Sequence, residues 1–216
     1  VELNCGDFTA ASGRFTGKTD AEKLRTSCVG KPVTVQSVAR QEKAEKPPKL
    51  YDLTTLQRDA NRIFGYTAQQ TLEYAQALYE KKLLTYPRTD SRYLPPDMIP
   101  RVYQTLKVLP SPYKELENSM ERREDGKLYI SHRIFDASKV SDHHALLPTP
   151  RTPDLEKLPA DERKLYDMVV RRMIAPFCPA YEYAVETVIT ACNGSVFRST
   201  GRTVLKPGWK AVEELD

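Results

Sequence analysis

The sequence predicts an α+β protein in which a discontinuous all-β domain carries an inserted, mainly α-helical domain. The spacing of hydrophobic residues along the chain changes twice, and these two changes predict the arrangement. Apolar and polar residues alternate over Val33–Val38 and over Tyr183–Ala191, whereas helical spacing prevails between 51 and 179. One β domain built from 1–50 and 180–216 is simpler than two β fragments, because each fragment alone is too small to form a core.

Composition sets the broad class of the protein. Of 216 residues, 40% are hydrophobic and 29% are charged, as in ordinary globular proteins. The formal net charge of +4 is compatible with a polyanionic partner but does not require one. The sequence shows neither an apolar run of about 18 residues nor a signal peptide, so we expect a cytoplasmic protein with no membrane partner. Its four scattered cysteines are expected to be reduced and structural.

The opening segment is predicted to be β-rich, with a half-buried strand at Val33–Val38. Gly13–Thr19 resembles a phosphate-binding loop, but three residues separate its glycines where that motif requires four. We therefore interpret Gly13–Thr19 as a basic surface loop. Gln41–Lys49 is charged and contains two prolines, so we predict a linker at the domain boundary.

The inserted domain begins with two predicted helices. Gly65 ends the first, and Thr67 with Gln70 forms a capping box at the start of the second. The apolar stripe of the second helix is Leu72, Ala75, Leu78 and Tyr79. If the two helices pack antiparallel, they would form a rigid base for Tyr86, which follows them in the chain.

Later elements follow from proline, glycine and the helical period. New helices are expected after Pro95–Asp97 and at Ser111, and Glu121–Lys127 is expected to be an exposed turn. Another helix lies within Leu158–Phe177, with Leu165, Met168, Val169 and Met173 facing inward and a solvated face of Arg163, Arg171 and Arg172. Asn193-Gly194 predicts a type I′ hairpin between two strands.

The stretch Thr85–Ser91 is the first candidate for chemistry. Pro87 moves Tyr86 out of helical geometry, and Arg88 places a permanent cation beside the phenol. A tyrosine that attacks a phosphodiester needs such a charge, since its ordinary pKa is about 10. In isolation, the stretch is also compatible with a polar turn containing a structural tyrosine.

The three histidines, His132, His143 and His144, form the second candidate. Adjacent histidines point in different directions, and no zinc-ligand spacing is present, so we expect no metal site here. His143 could cap a short helix before Pro148 instead.

Both strings are similar to signatures of the bacterial type IA DNA topoisomerases. Thr85–Ser91 resembles the segment that carries the nucleophilic tyrosine. The proline after the tyrosine resembles the form of this segment in the topoisomerase III branch. Ser141–Thr149 resembles a second signature, in which a histidine lies near the scissile phosphate. The resemblance covers nearly the whole chain and implies catalytic roles for Tyr86, Arg88 and His143, and DNA binding by Arg88, Thr89, Ser91, His144 and Gln57.

The resemblance implies part of a ring-shaped isomerase, in which a β-rich arch domain joins the helical domain that carries the tyrosine. Such an enzyme cleaves single-stranded DNA through a 5′-phosphotyrosine link, passes a strand and religates without ATP. The toprim domain of the family, with its Asp-x-Asp-x-Glu site for Mg²⁺, has no counterpart in this sequence. We therefore expect a monomeric, nucleoid-associated fragment without a cofactor of its own, which binds single-stranded DNA but needs the toprim-containing portion to cut it.

Two other classes of function remain open on the sequence. A non-catalytic module for single-stranded nucleic acid would combine a basic groove with stacking aromatic residues, which the 12 tyrosines could supply. A protein-interaction scaffold would leave Arg88 and His143 without any role in DNA binding.

Overall fold

The computed structural model of the chain describes residues 1–213. The chain forms two compact units, one made of Val1–Glu45 and Glu182–Lys206, the other of Lys46–Tyr181 with the segment that begins at Pro207. The combination of an antiparallel sheet with helices confirms the predicted α+β class. Among the helices of residues 1–213, none is long and apolar enough to cross a membrane.

The β unit is a five-stranded sheet with the order β1-β2-β5-β4-β3. Its elements are β1 (Glu2–Asn4), β2 (Thr9–Ala11), helix α1 (Lys18–Cys28), β3 (Val33–Glu45), β4 (Tyr181–Cys192) and β5 (Ser195–Lys206). Strands β4 and β5 form a long antiparallel hairpin. Its turn residues have positive φ angles, 45° at Asn193 and 77° at Gly194, which confirms the hairpin predicted there.

Two predictions for the first segment are only partly right, although Gly13–Gly17 is an exposed loop and the boundary between the units follows Glu45. Helix α1 begins at Lys18, inside the predicted surface loop, and it has little apolar periodicity because Cys28 is its only buried residue. Strand β3 continues to Glu45 through half of the predicted linker. The strand can hold these charged residues because it lies at the edge of the sheet and its side chains are largely exposed.

The other unit contains six of the described helices: α2 (Leu53–Phe64), α3 (Ala68–Glu80), α4 (Ile99–Val108), α5 (Ser111–Lys114), α6 (Ala160–Ile174) and α7 (Lys210–Glu213). Short 3-10 turns lie at Pro96–Met98, Leu116–Ser119, Ala137–Lys139 and Ala175–Phe177. The predicted Gly65 ending of α2 is confirmed, with φ at 74°, as is the Thr67–Gln70 capping box of α3. Helix α3 packs against both α2 and α6.

An extended segment passes through the core of this helical unit. Ala145, Leu146 and Leu147 are fully buried, and Leu146 and Pro148 form antiparallel bridges with Tyr51 and Leu84. Residues 144–148 form no helix, so His143 is not a helix cap. Tyr79, which was predicted to face the core, is 39% exposed at the C-terminal end of α3.

Arg172 of α6 is buried, whereas we predicted it on a solvated face. Its guanidinium lies 3.9 Å from the Tyr51 ring centre, donates a hydrogen bond of 3.0 Å to Asp59 and pairs with Glu213 of α7. Burial raises the pKa of Glu213, and the Arg172 charge opposes that rise. The segment from Pro207 to Glu213 thus packs with the helical unit, whereas we predicted it in the β domain.

Replacing Arg172 by methionine should destabilise the chain by about 3–5 kcal/mol, because Asp59 and Glu213 would lose the cation that compensates their burial. Urea unfolding followed by circular dichroism measures the change. The control is Arg163→Met, an exposed position of the same helix, which should leave the transition unchanged. Equal stability of both variants would contradict a structural role for this network.

The stability deficit of Arg172→Met should also depend on pH. Without the Arg172 charge the pKa of Glu213 rises further, so the folded state binds more protons than the unfolded state. The deficit should therefore be largest near neutral pH and should shrink as pH falls toward about 4.3, the ordinary pKa of glutamate.

Candidate active site

The segment that carries Tyr86 is held by backbone pairing rather than by a helix. Helix α3 ends in a tight turn in which Lys82 adopts a left-handed conformation with φ of 60°. Leu83 and Leu84 then enter the core. The amide of Thr85 donates to the Leu147 carbonyl and the Thr85 hydroxyl accepts from the Leu147 amide, both at 2.9 Å. Tyr86 therefore follows directly after a residue, Thr85, that is fixed by strand-like pairing with Leu147.

Tyr86 and His143 are in direct contact. Their ring centres are 4.6 Å apart, although the two residues are distant in the sequence. Tyr79 packs its ring edge-on against Tyr86 at 5.5 Å, so the residue predicted for the core helps to orient the phenol instead. The structure thus brings two of the three predicted catalytic side chains together.

Thr89 and Ser91 connect the Tyr86 segment to the His143 segment. Both are buried; the Thr89 hydroxyl donates to the His143 carbonyl at 3.1 Å, and the Ser91 hydroxyl donates to the Lys139 carbonyl at 3.0 Å. A hydrogen bond of 2.7 Å from Ser141 to Asp90 adds a third link. The hydroxyls of Thr89 and Ser91 thus bind the protein backbone and position the site, and the DNA-binding role that we predicted for both residues stays a prediction.

Arg88 is the exposed cation of the site. It lines a cleft together with Thr54, Asp90 and His143. Within residues 1–213 it forms no ion pair, so its guanidinium is available to an anionic ligand. Gln57 lies one turn beyond Thr54 on α2, and its amide donates to the Ala68 carbonyl at 3.0 Å; its role in DNA binding stays a prediction.

His144 lines a different cleft from Arg88. Its Nδ1 is 2.7 Å from the Ala145 carbonyl, and it lines an open cleft of about 610 Å³ with Tyr79, Tyr86 and Arg101. Arg101 was not predicted, because α4 carries it among ordinary polar surface residues and only the tertiary structure brings it to the cleft. Two clefts of the site therefore contain a cation: Arg101 lines the cleft that Tyr86 also lines, and Arg88 lines the cleft with His143.

A resident metal does not fit the residues that the structure describes. Within 1–213, no group of three or more histidine, cysteine, aspartate or glutamate side chains is close enough to hold an ion. Near Tyr86, the Asp90 carboxylate already accepts the Ser141 hydroxyl. The chemistry that these side chains can perform themselves is nucleophilic attack by the Tyr86 phenol, assisted by the positive charge of Arg88.

Comparison with known proteins places the chain in a family. Residues 3–216 match a family described as DNA topoisomerase. The chain is 40% identical over its full length to DNA topoisomerase 3 of Bacillus subtilis and 42% identical, over 84% of its length, to DNA topoisomerase 3 of Bacillus cereus. It spans only 29% and 25% of those proteins.

A solved structure shows the same fold. Full-length topoisomerase I from Thermotoga maritima matches the whole chain with a TM-score of 0.70 at 20% sequence identity, and the match covers 35% of that structure.

Removing the Thr89 hydroxyl should separate Tyr86 from His143. We expect Thr89→Val to lower stability by about 1 kcal/mol and to shift the His143 ring protons toward random-coil values in NMR spectra, since the hydroxyl holds the His143 carbonyl. Thr26→Val is the matched control, because that hydroxyl also donates to a carbonyl but within α1. Unchanged His143 shifts in Thr89→Val would show that the hydrogen bond does not position the ring.

Proposed function

The chain belongs to the DNA topoisomerase family, and from this premise we propose that it is the part of a longer type IA enzyme that supplies the nucleophile. The contact of Tyr86 with His143, whose ring centres are 4.6 Å apart, close in sequence to the exposed Arg88, is the observation that carries the proposal. The proposed substrate is a single strand of DNA, which would occupy the open clefts lined by Tyr86 and by Arg88.

The proposed reaction exchanges one phosphoester bond for another. The Tyr86 hydroxyl oxygen attacks a backbone phosphorus, the phenolic proton is lost, and the bond from phosphorus to the 3′ oxygen breaks as that oxygen gains a proton. The tyrosine is then joined to the 5′ phosphate. Attack by the 3′ hydroxyl reverses each step and reseals the strand. Because the number of phosphoester bonds is conserved, no ATP is needed.

Arg88 and His143 have distinct roles in this scheme. The guanidinium of Arg88 can grip two oxygens of a phosphate and stabilise the negative charge that grows on the phosphoryl group. His143 packs against the phenol ring, with the two ring planes tilted by 47°, and in this proposal its imidazole supplies a hydrogen bond near the reacting group. His144, in the neighbouring cleft, is placed to contact the strand beyond the scissile phosphate.

The chain alone lacks groups that cleavage requires. We propose that a toprim-containing portion of the longer protein supplies the Mg²⁺ site and the lysine that assists the leaving oxygen, as the family resemblance implies. The β unit would form an arch and the helical unit would carry the tyrosine. The whole enzyme is proposed to act as a bacterial, nucleoid-associated monomer.

Arg88→Lys should reduce cleavage far more than DNA binding. Lysine keeps the charge but loses the planar fork, so an interaction made mainly in the transition state is weakened. The assay compares covalent complex formation and oligonucleotide affinity in the chain complemented with the toprim portion. Arg123→Lys, an exposed arginine in the Glu121–Lys127 turn, is the control. Equal losses in cleavage and in binding would mean that Arg88 only tethers DNA.

The isolated chain should bind a single-stranded oligonucleotide weakly and should not cut it. Adding the toprim portion in buffer containing Mg²⁺ should produce a protein-linked DNA strand on a denaturing gel, and Tyr86→Phe should abolish that strand. Loss of one preorganised electrostatic group already costs about 3 kcal/mol of barrier, so the isolated chain should be inactive by orders of magnitude.

Tyr129→Phe, at a tyrosine that is 55% exposed, serves as the matched control and should leave the adduct unchanged. An adduct from the isolated chain, or one that survives Tyr86→Phe, would place the chemistry elsewhere.

A further inference from the structure

A second aromatic residue, Tyr93, lies between two lysines. The ammonium of Lys49 is 4.5 Å from the ring centre of Tyr93 and donates a hydrogen bond to its hydroxyl. The ammonium of Lys139 is 5.1 Å from the same ring centre. The hydrogen bond from Lys49 lowers the pKa of Tyr93, and the charge of Lys139 acts in the same direction. The phenol and the two cations thus form one electrostatic unit.

Two arginines extend this unit into a basic patch. Arg133 donates to the Pro47 carbonyl at 2.7 Å, and Arg92 donates to the Leu50 carbonyl at 3.1 Å, so both lie against the segment that carries Lys49. Asp136 pairs with Lys139 at 3.1 Å. The two lysines and the two arginines carry four positive charges against the one negative charge of Asp136, so the patch is positively charged. We call Lys49, Arg92, Tyr93, Arg133 and Lys139 the Tyr93 patch.

The Tyr93 patch belongs to the same pair of segments as the candidate active site. The Tyr93 carbonyl accepts a hydrogen bond of 2.9 Å from the Ala145 amide, two residues beyond His143. The backbone of Lys139 is held by Ser91, and that of His143 is held by Thr89. The patch is therefore connected to the candidate active site through the same pair of backbone segments.

We propose that the Tyr93 patch is a second binding subsite for the DNA strand, at which Lys49 and Lys139, held against the Tyr93 ring, neutralise backbone phosphates. This deepens the proposed function and rests on it for the identity of the ligand. Cations that neutralise phosphates supply the part of the affinity that does not depend on DNA sequence. The subsite would hold the strand in register while Tyr86 acts on a phosphate farther along.

The test measures binding of a labelled single-stranded oligonucleotide to the full chain as a function of salt. Each phosphate contact contributes about 0.7 to the slope of log K against log salt. We expect Lys49→Ala combined with Lys139→Ala to weaken binding and to reduce the slope by about 1.4. Lys157→Ala is the matched control, because Lys157 also pairs with an aspartate three residues earlier, at 2.8 Å from Asp154. An unchanged slope in the double variant would overturn the proposal.

A second arm locates the contacted phosphates on the DNA. Uncharged methylphosphonate linkages are placed one at a time along the oligonucleotide. At the contacted positions they should weaken binding to the wild-type chain but not to the double variant. If every position weakens both proteins equally, the patch does not contact the backbone. Displacement of the oligonucleotide by submillimolar inorganic phosphate at constant ionic strength would assign the patch to the free anion instead.

The cleavage assay separates this proposal from the proposed function. If the complemented wild-type chain forms no covalent adduct, the proposed function fails, whatever the salt slopes show. If the adduct forms and the double variant matches the wild type in slope and in methylphosphonate response, only the subsite fails. Unfolding curves of all variants should coincide, since Lys139 is exposed and Lys49 lies outside the core.

Discussion

The pairing of two distant segments is the constraint on which the candidate site depends. Residues 84–93 and 139–148 are joined by backbone bridges at Leu84 and Pro148 and by buried hydroxyls at Thr89 and Ser91. Ala145–Leu147 fills the core between these links. Because the apolar residues and the hydrogen bonds specify the same register, a slip of one residue would bury polar groups and move His143 away from Tyr86.

The surrounding core makes this register rigid. Helices α2, α3 and α6 pack together beneath the paired segments, and the buried Arg172 joins α2 to the end of the described chain through Asp59 and Glu213. A buried ion pair adds little net stability compared with apolar packing, but it penalises every arrangement that leaves one charge unpaired. The network therefore favours a single packing of α7 against α6.

The cations of the helical unit fall into two groups, according to whether they are paired with buried carboxylates. Arg172 is fully engaged with carboxylates in the core. Arg88 and Lys139 are exposed and Lys49 is partly exposed, so an anionic ligand can reach these cations of the candidate site and the Tyr93 patch. A polyanion would thus be recognised by the second group without disturbing the fold, which explains how a chain with a net charge of only +4 can present a local basic surface.

The sequence by itself determined the features that are encoded locally. The α+β class, the capping box at Thr67, the Asn193-Gly194 hairpin and the two signature strings follow from side chains that act within a few residues. Only the tertiary structure decided the burial of Arg172, the extent of β3 and helix α1, and the structural roles of Thr89 and Ser91. Each of these depends on partners far away in the chain, and a hydroxyl or a guanidinium looks the same in sequence whether it meets solvent, DNA or a buried carbonyl.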